Sequence, residues 1–183
     1  MEHSIVIAGF GGQGVLFAGQ LLAYAGMDSG RHVTWIPSYG PEMRGGTANC
    51  TVVISDEPVG APIVSRPKIV IALNLPSFEK YEPLVREGGL LVVNSAIVGA
   101  RTAREEIEAV YVPANTIAEE AGSSKMLNVA AVGAMLGRRS VLSVEEVEEA
   151  LRNHLPESKG HLLEANVEVL RRGYTLAAKT VAA

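Results

Sequence analysis

Apolar residues come in two kinds of run along this chain. Ile5-Val-Ile7, Ile69-Val-Ile-Ala-Leu73 and Leu90-Leu-Val-Val93 are continuous, with no polar alternation. That is the pattern of strands buried on both faces. Residues 47–54 alternate instead, with Ala48, Cys50, Val52 and Ile54 set against Thr47, Asn49 and Thr51. This suits a half-exposed strand near a sheet edge. Strands are therefore expected at 4–8, 32–36, 47–54, 68–74 and 90–93, with a short last one at Tyr111-Val112 before Pro113.

Between and after these runs the period becomes helical. Val15, Ala18, Leu22 and Ala25 fall on one face of a helix over 15–28, small enough to sit close to a sheet. A short helix from Ser77 is interrupted by Pro83. Asn115 is placed to cap another helix, and 126–136 forms a further one rich in small residues. Ser143-Val-Glu-Glu146 is a capping-box signature, and 161–178 carries the last helix. The link 37–46 is loop by composition and too short for a parallel crossover. The strands it joins should therefore pair antiparallel. Residues 62–67 read as an irregular surface segment. The expected fold class is α/β, a three-layer α/β/α arrangement that is Rossmann-like, with a mostly parallel, mixed sheet and a helical C-terminal third. Residues 1–183 read as one domain.

Composition narrows the function classes. Of 183 residues, 48% are hydrophobic and 20% charged, and the net charge is −4. With no basic stripe to neutralise phosphates, a nucleic-acid partner is not expected. The apolar runs are far shorter than the roughly 20 residues that span a bilayer, so no membrane partner is expected. The chain enters its first strand directly after Met-Glu-His-Ser, which leaves no room for a secretory signal and implies a cytoplasmic protein. Cys50 is the single cysteine, so this chain alone offers no internal disulfide and no cysteine-ligated iron–sulfur cluster. The four histidines show no metal spacing. No nucleophile–base set and no carboxylate pair with an acid–base role can be argued, so no catalytic residue is assigned.

The chemistry sits in glycine-rich turns. Gly9-Phe-Gly11-Gly12-Gln13-Gly14 joins the first strand to the first helix, the arrangement that points backbone N–H groups at an anion. The spacing Gly9-x-Gly11-x-x-Gly14 matches the dinucleotide fingerprint. That mechanism also asks for an acid at the end of the second strand, and Trp35-Ile36-Pro37-Ser38-Tyr39 has none. A P-loop fails, because no Lys-Ser/Thr follows the last glycine. A phosphate-binding turn and a plain tight turn both remain open. Gln13 either donates to a ligand or solvates the turn. The second unusual stretch, 37–46, displays Tyr39, Glu42 and Arg44 on a loop stiffened by two prolines. If its strand runs parallel to the first, both loops open at one carboxyl edge, where Arg44 can meet a phosphate. Tyr39 reads as a packing or interface residue. Asn74, Asn94 and Ser95 follow buried strands and either line the same edge or serve as turn residues. Asn128 reads as a cap or core hydrogen-bonder, and the Glu145-Glu146…Glu148-Glu149 run as a solvated helix face.

Taken together, Gly9-Phe-Gly-Gly-Gln-Gly-Val15, Tyr39-Gly-Pro-Glu-Met-Arg-Gly-Gly46 and the strand ending Ile54-Ser55-Asp56 resemble the gamma subunit of 2-oxoacid:ferredoxin oxidoreductases. The resemblance covers nearly the whole chain, through the helices around Asn128 and Asn166. Free-standing subunits of this length most resemble the 2-oxoglutarate branch; pyruvate, branched-chain and indolepyruvate enzymes carry similar chains. The resemblance implies a non-redox subunit of an enzyme that decarboxylates a 2-oxoacid, reduces ferredoxin and forms an acyl-CoA. It assigns thiamine diphosphate with its magnesium to alpha and beta partner chains, and the iron–sulfur clusters to beta or delta chains. It also implies contact with the ADP end of coenzyme A through Gly9, Gly11, Gly12, Gln13 and Gly14, with Arg44 near the phosphates. An isolated chain would pair with itself through the surface meant for its partners. The rival readings are a stand-alone NAD- or FAD-binding oxidoreductase and a purely structural assembly subunit.

Overall fold

A computed structural model describes residues 1–38 and 47–179 of the chain, with the side chain of Thr47 excepted. Six strands form one sheet among these residues: β1 (Glu2–Phe10), β2 (His32–Ser38), β3 (Thr47–Ser55), β4 (Ile69–Ala72), β5 (Leu90–Asn94) and β6 (Glu108–Val112), in the spatial order β2-β3-β1-β4-β5-β6. β4, β5 and β6 run parallel to β1, and β3 is antiparallel to both β1 and β2. β3 is thus the one reversed strand, and the sheet is mixed as the short link requires, although Pro37 and Ser38, expected in the loop, extend β2 by pairing with Cys50 and Asn49. The half-exposed reading of β3 needs correction. Ala48, Cys50, Val52 and Ile54 are buried as expected, but Val53 and Ser55 on the other face are buried too. β3 lies one strand in from the edge, and the edge position belongs to β2.

Register explains the two cores. Ile5 pairs with Val52 and Ile7 with Cys50, and these side chains share a face with Ile69, Ile71, Leu90 and Val92. Against that face pack α1 (Val15–Asp28), α4 (Leu127–Leu136) and α6 (Leu163–Lys179), with α3 (Ala114–Glu120) and α5 (Val144–His154) packed onto these helices in the same core. Val6, Val70, Ala72, Leu91 and Val93 point the other way. They are covered more thinly, by Phe78 of α2 (Leu75–Tyr81) and by Val85, Val98 and Ile107 from turns and irregular segments. Helices therefore lie on both faces, but unequally, and the C-terminal third is helical.

Small residues set the close contacts. Gly19 of α1 faces the Cys50 thiol and the Trp35 indole, leaving no room for a Cβ. All ten residues of α4 are buried. It lies between the sheet and α6, where Gly133 and Gly173 bring the two helix backbones together at Leu170 and Ala130.

Local chemistry accounts for the helix starts. Ser143 and Glu146 close the expected capping box of α5, with Glu146 N–H donating to Ser143 Oγ at 3.1 Å. α2 begins at Leu75 rather than Ser77, because Asn74 caps it by accepting from Ser77 N–H at 2.8 Å. Asn115 is not the cap of α3; Pro113 holds that position, and Asn115 Oδ1 instead accepts from Asn94 Nδ2 at 2.8 Å. Glu148 departs from the solvated-face reading. It falls on the face of α5 that also carries Val144, Val147 and Leu151, is 3% exposed, and receives Arg171 of α6, with Nη2 2.9 Å from Oε2.

Candidate functional site

The carboxyl edge of the sheet gathers the residues that could meet a ligand. β1 and β2 run the same way, since β3 opposes both. The glycine turn that follows Phe10 and the link that follows Ser38 therefore start at one edge. Thr47, where β3 begins, pairs with Phe10. Arg44, Tyr39 and Glu42 lie outside the described residues.

The turn is built from the backbone. Gln13 N–H donates to Phe10 C=O at 3.1 Å, closing a tight turn. Gly12 has φ +98° and Gly14 φ +72°, a region that side-chain-bearing residues rarely adopt. Gly14 is the N-cap of α1 and offers no side-chain cap. The N–H groups of the helix's first turn thus have neither intrahelical partners nor a capping oxygen at that position. Gly11 and Gly12 are exposed, and nothing lies within 4 Å of the place where a Gly12 Cβ would stand. Uncapped N–H groups, the positive end of the helix dipole and an open approach form an arrangement that can accept an anion.

Two of the expected ligand residues face inward. Gly9 is buried, and a Cβ there would meet Gln13 Oε1 at 2.7 Å, with Leu73 and Val15 at 3.0 Å. Gln13 Oε1 accepts from Phe10 N–H at 2.6 Å, and Nε2 donates to Leu73 C=O at 3.2 Å. Both ends of the Gln13 side chain are engaged within the protein, and the two bonds hold the turn. Asn94 donates to the same Leu73 carbonyl at 3.3 Å, while its Oδ1 accepts from Ala114 N–H at 3.2 Å. Asn74, just after β4, and Asn94, the last residue of β5, therefore tie strand ends and helix starts together. Ser95 N–H, alongside, bonds Val112 C=O at 2.9 Å.

Asn128 contributes what spacing could not show. It sits on α4, 114 positions from Gly14, yet its Nδ2 donates to Gly14 C=O at 3.0 Å. A buried polar residue opening an otherwise apolar, small-residue helix was the only available signal.

Cys50 is buried, and its Sγ donates to Val15 C=O at 3.5 Å. Burial pushes the thiol up to about 11, so it is neither a nucleophile nor a cluster ligand at neutral pH. No group of three or more metal-ligating side chains occurs among the described residues. No helix among them is long and apolar enough to cross a membrane.

Comparison with known proteins converges on one family. The family model described as pyruvate ferredoxin/flavodoxin oxidoreductase matches residues 4–176. Ketoisovalerate oxidoreductase subunit VorA of Methanothermobacter marburgensis is 40% identical over 98% of the chain, and the chain spans only 37% of that relative. 2-Oxoglutarate synthase subunit KorC of Methanocaldococcus jannaschii is 33% identical over 97% of the chain and is matched over 95% of its own length. The keto/oxoacid ferredoxin oxidoreductase gamma subunit of Geobacter sulfurreducens superposes with a TM-score of 0.86 at 29% identity, covering 98% of both chains. The fold also recurs in 32% of a 2-oxoglutarate:ferredoxin oxidoreductase chain from Magnetococcus marinus, solved with 2-oxoglutarate, coenzyme A and succinyl-CoA bound, at TM-score 0.88 and 23% identity. With a family model matched across almost its whole length and relatives of this identity, the chain belongs to the pyruvate ferredoxin/flavodoxin oxidoreductase family.

Proposed function

We propose that this chain is the gamma-type subunit of a cytoplasmic, multi-subunit 2-oxoacid:ferredoxin oxidoreductase. In this reading residues 1–183 form one gamma domain that builds the subunit interface and helps hold the ADP end of coenzyme A. The observation that carries the ligand reading is the start of α1: a left-handed Gly14, no side-chain cap, and an exposed, open turn at Gly11-Gly12. The backbone of Gly11, Gly12 and Gly14 faces the diphosphate, Arg44 adds a cation from the neighbouring link, and Gly9 and Gln13 shape the turn from behind.

2-Oxoglutarate is the proposed oxoacid, supported by the KorC relative that the chain matches over nearly its full length. The products are an acyl-CoA, carbon dioxide and reduced ferredoxin. Thiamine diphosphate, magnesium and iron–sulfur clusters are placed in alpha, beta and delta chains. The one cysteine of this chain, buried and with a raised pKa, is unsuited to holding an iron–sulfur cluster. A stand-alone NAD or FAD enzyme is less well supported, because β2 ends Ile36-Pro37-Ser38 with no carboxylate for a ribose.

The test is to purify the chain with its native partners and follow oxoacid-dependent, coenzyme A-dependent viologen reduction. Gly12→Val and Arg44→Ala should each raise KM for coenzyme A about tenfold while leaving KM for the oxoacid in place. Unchanged coenzyme A kinetics in both variants would make the turn a purely structural element. A lone chain carrying bound NAD or FAD would overturn the subunit reading itself.

A further inference from the structure

Asn128 makes an unusual contact for a side chain so deeply placed. It is 2% exposed and stands in a helix buried from end to end. Its Nδ2 donates to the Gly14 carbonyl, which also accepts the first helical bond of α1, from Ala18 N–H at 3.0 Å. Both lone pairs of that oxygen are therefore committed. The Asn128 amide also occupies the room a Gly14 Cβ would need, at 2.6 Å from Nδ2 and 3.2 Å from Oδ1. Oδ1 has no hydrogen-bond partner among the described residues. A half-satisfied buried amide is a worse core filler than an apolar side chain of the same shape. Packing alone does not account for it.

We infer that Asn128 is a positioning residue for the anion bound at the glycine turn. The peptide joining Gly14 to Val15 is a rigid plane, with the Gly14 C=O and the Val15 N–H pointing in opposite directions. Holding the carbonyl down toward α4 therefore aims the Val15 N–H out of the helix N-terminus. Two hydrogen bonds on one oxygen leave that plane little freedom to tilt, and α4 provides a mount that cannot move without disturbing the core. Asn128 acts through the backbone and does not itself touch the ligand. The inference rests on the reading of the glycine turn as the coenzyme A site.

The experiment uses the assembled enzyme, with coenzyme A as the probe. Asn128→Asp keeps the shape but sets a carboxylate oxygen against the Gly14 carbonyl; Asn128→Leu removes the clamp without adding charge. Each should raise KM for coenzyme A, by about tenfold and about threefold respectively, with kcat and KM for the oxoacid within about twofold. Either variant decides the matter if the other fails to assemble. Val129→Ala, buried in the same helix, should lower the melting temperature and leave KM for coenzyme A alone. An equal rise in Val129→Ala would reduce the effect to general loosening of α4 and overturn the inference. So would normal coenzyme A kinetics in the Asn128 variants when Gly12→Val is impaired. Normal kinetics in Gly12→Val as well would mean that the ligand reading has failed, and the inference with it.

Discussion

Gln13 and Leu73 are joined across two parallel strands: the Gln13 amide donates to the Leu73 carbonyl at 3.2 Å while its oxygen accepts from Phe10 N–H. One side chain thus clasps the end of β1, the end of β4 and the turn between β1 and α1. Gln13→Ala breaks both bonds but leaves Leu73 its bond from Asn94. A loss of about 1 kcal/mol is expected, read as a lower urea midpoint with an unchanged slope. Wild-type stability in this variant would show that water replaces the clasp.

The α4–α6 crossing is less forgiving. A Cβ at Gly133 would collide with the Leu170 carbonyl, and one at Gly173 with the Ala130 carbonyl, both of them backbone. Gly133→Ala and Gly173→Ala should each destabilise by about 1–3 kcal/mol, despite alanine's better helix propensity. Calorimetric melting of both variants checks this. A rise in melting temperature in either would mean that the helices separate at little cost.

Cys50 should be silent in the folded protein. With a thiol pKa near 11 and a buried sulfur, only about one molecule in a thousand carries a thiolate at pH 8. Reaction with Ellman's reagent is expected only after denaturation, with one equivalent of thiol released. Prompt reaction under native conditions would show that α1 and β3 part readily.

His3 gives stability a pH dependence of known sign. Its pKa is held below the ordinary 6.5, first by burial and then by the positive charges of Lys68, Arg31 and the N-terminus. The unfolded chain therefore takes up this proton at a higher pH than the folded one. Stability should fall as pH drops through about 6.5 and level off below the folded-state pKa. His3→Gln should flatten that part of the curve, as seen by melting both proteins between about pH 7.5 and 5. Parallel curves for the two would remove His3 from the acid-side loss.

Much of this architecture was legible in the sequence, for identifiable reasons. α1 was readable to the residue, because a glycine run precedes Val15 and small residues recur along one face. The antiparallel β2–β3 pair followed from a link too short to cross over. The α5 start followed from Ser143 and Glu146. The misses share a cause, which is that a side chain's partner is set by tertiary placement. Glu148 reads as one of four solvated acids until α6 brings Arg171 against it. Asn115 reads as a cap until Asn94 reaches it across the sheet edge. At the glycine turn the spacing identified the loop but not the division of labour within it. Gly9 and Gln13 face inward, Gly11 and Gly12 face outward, and Asn128 arrives from far along the chain.

The reversed direction of β3 bears on how such a chain can diversify. β2 and β3 pair in a register in which Val33, Trp35, Val52 and Ile54 all lie against the helical layer. Lengthening the junction between them costs little in chain entropy, about 0.6 kcal/mol for each doubling, and shifts no side chain to the wrong face of the sheet. Descendants of one ancestral chain can therefore alter the length and charge of residues 39–46 while the strands on either side keep their pairing. Selection can retune what joins β2 to β3 while the scaffold stays fixed.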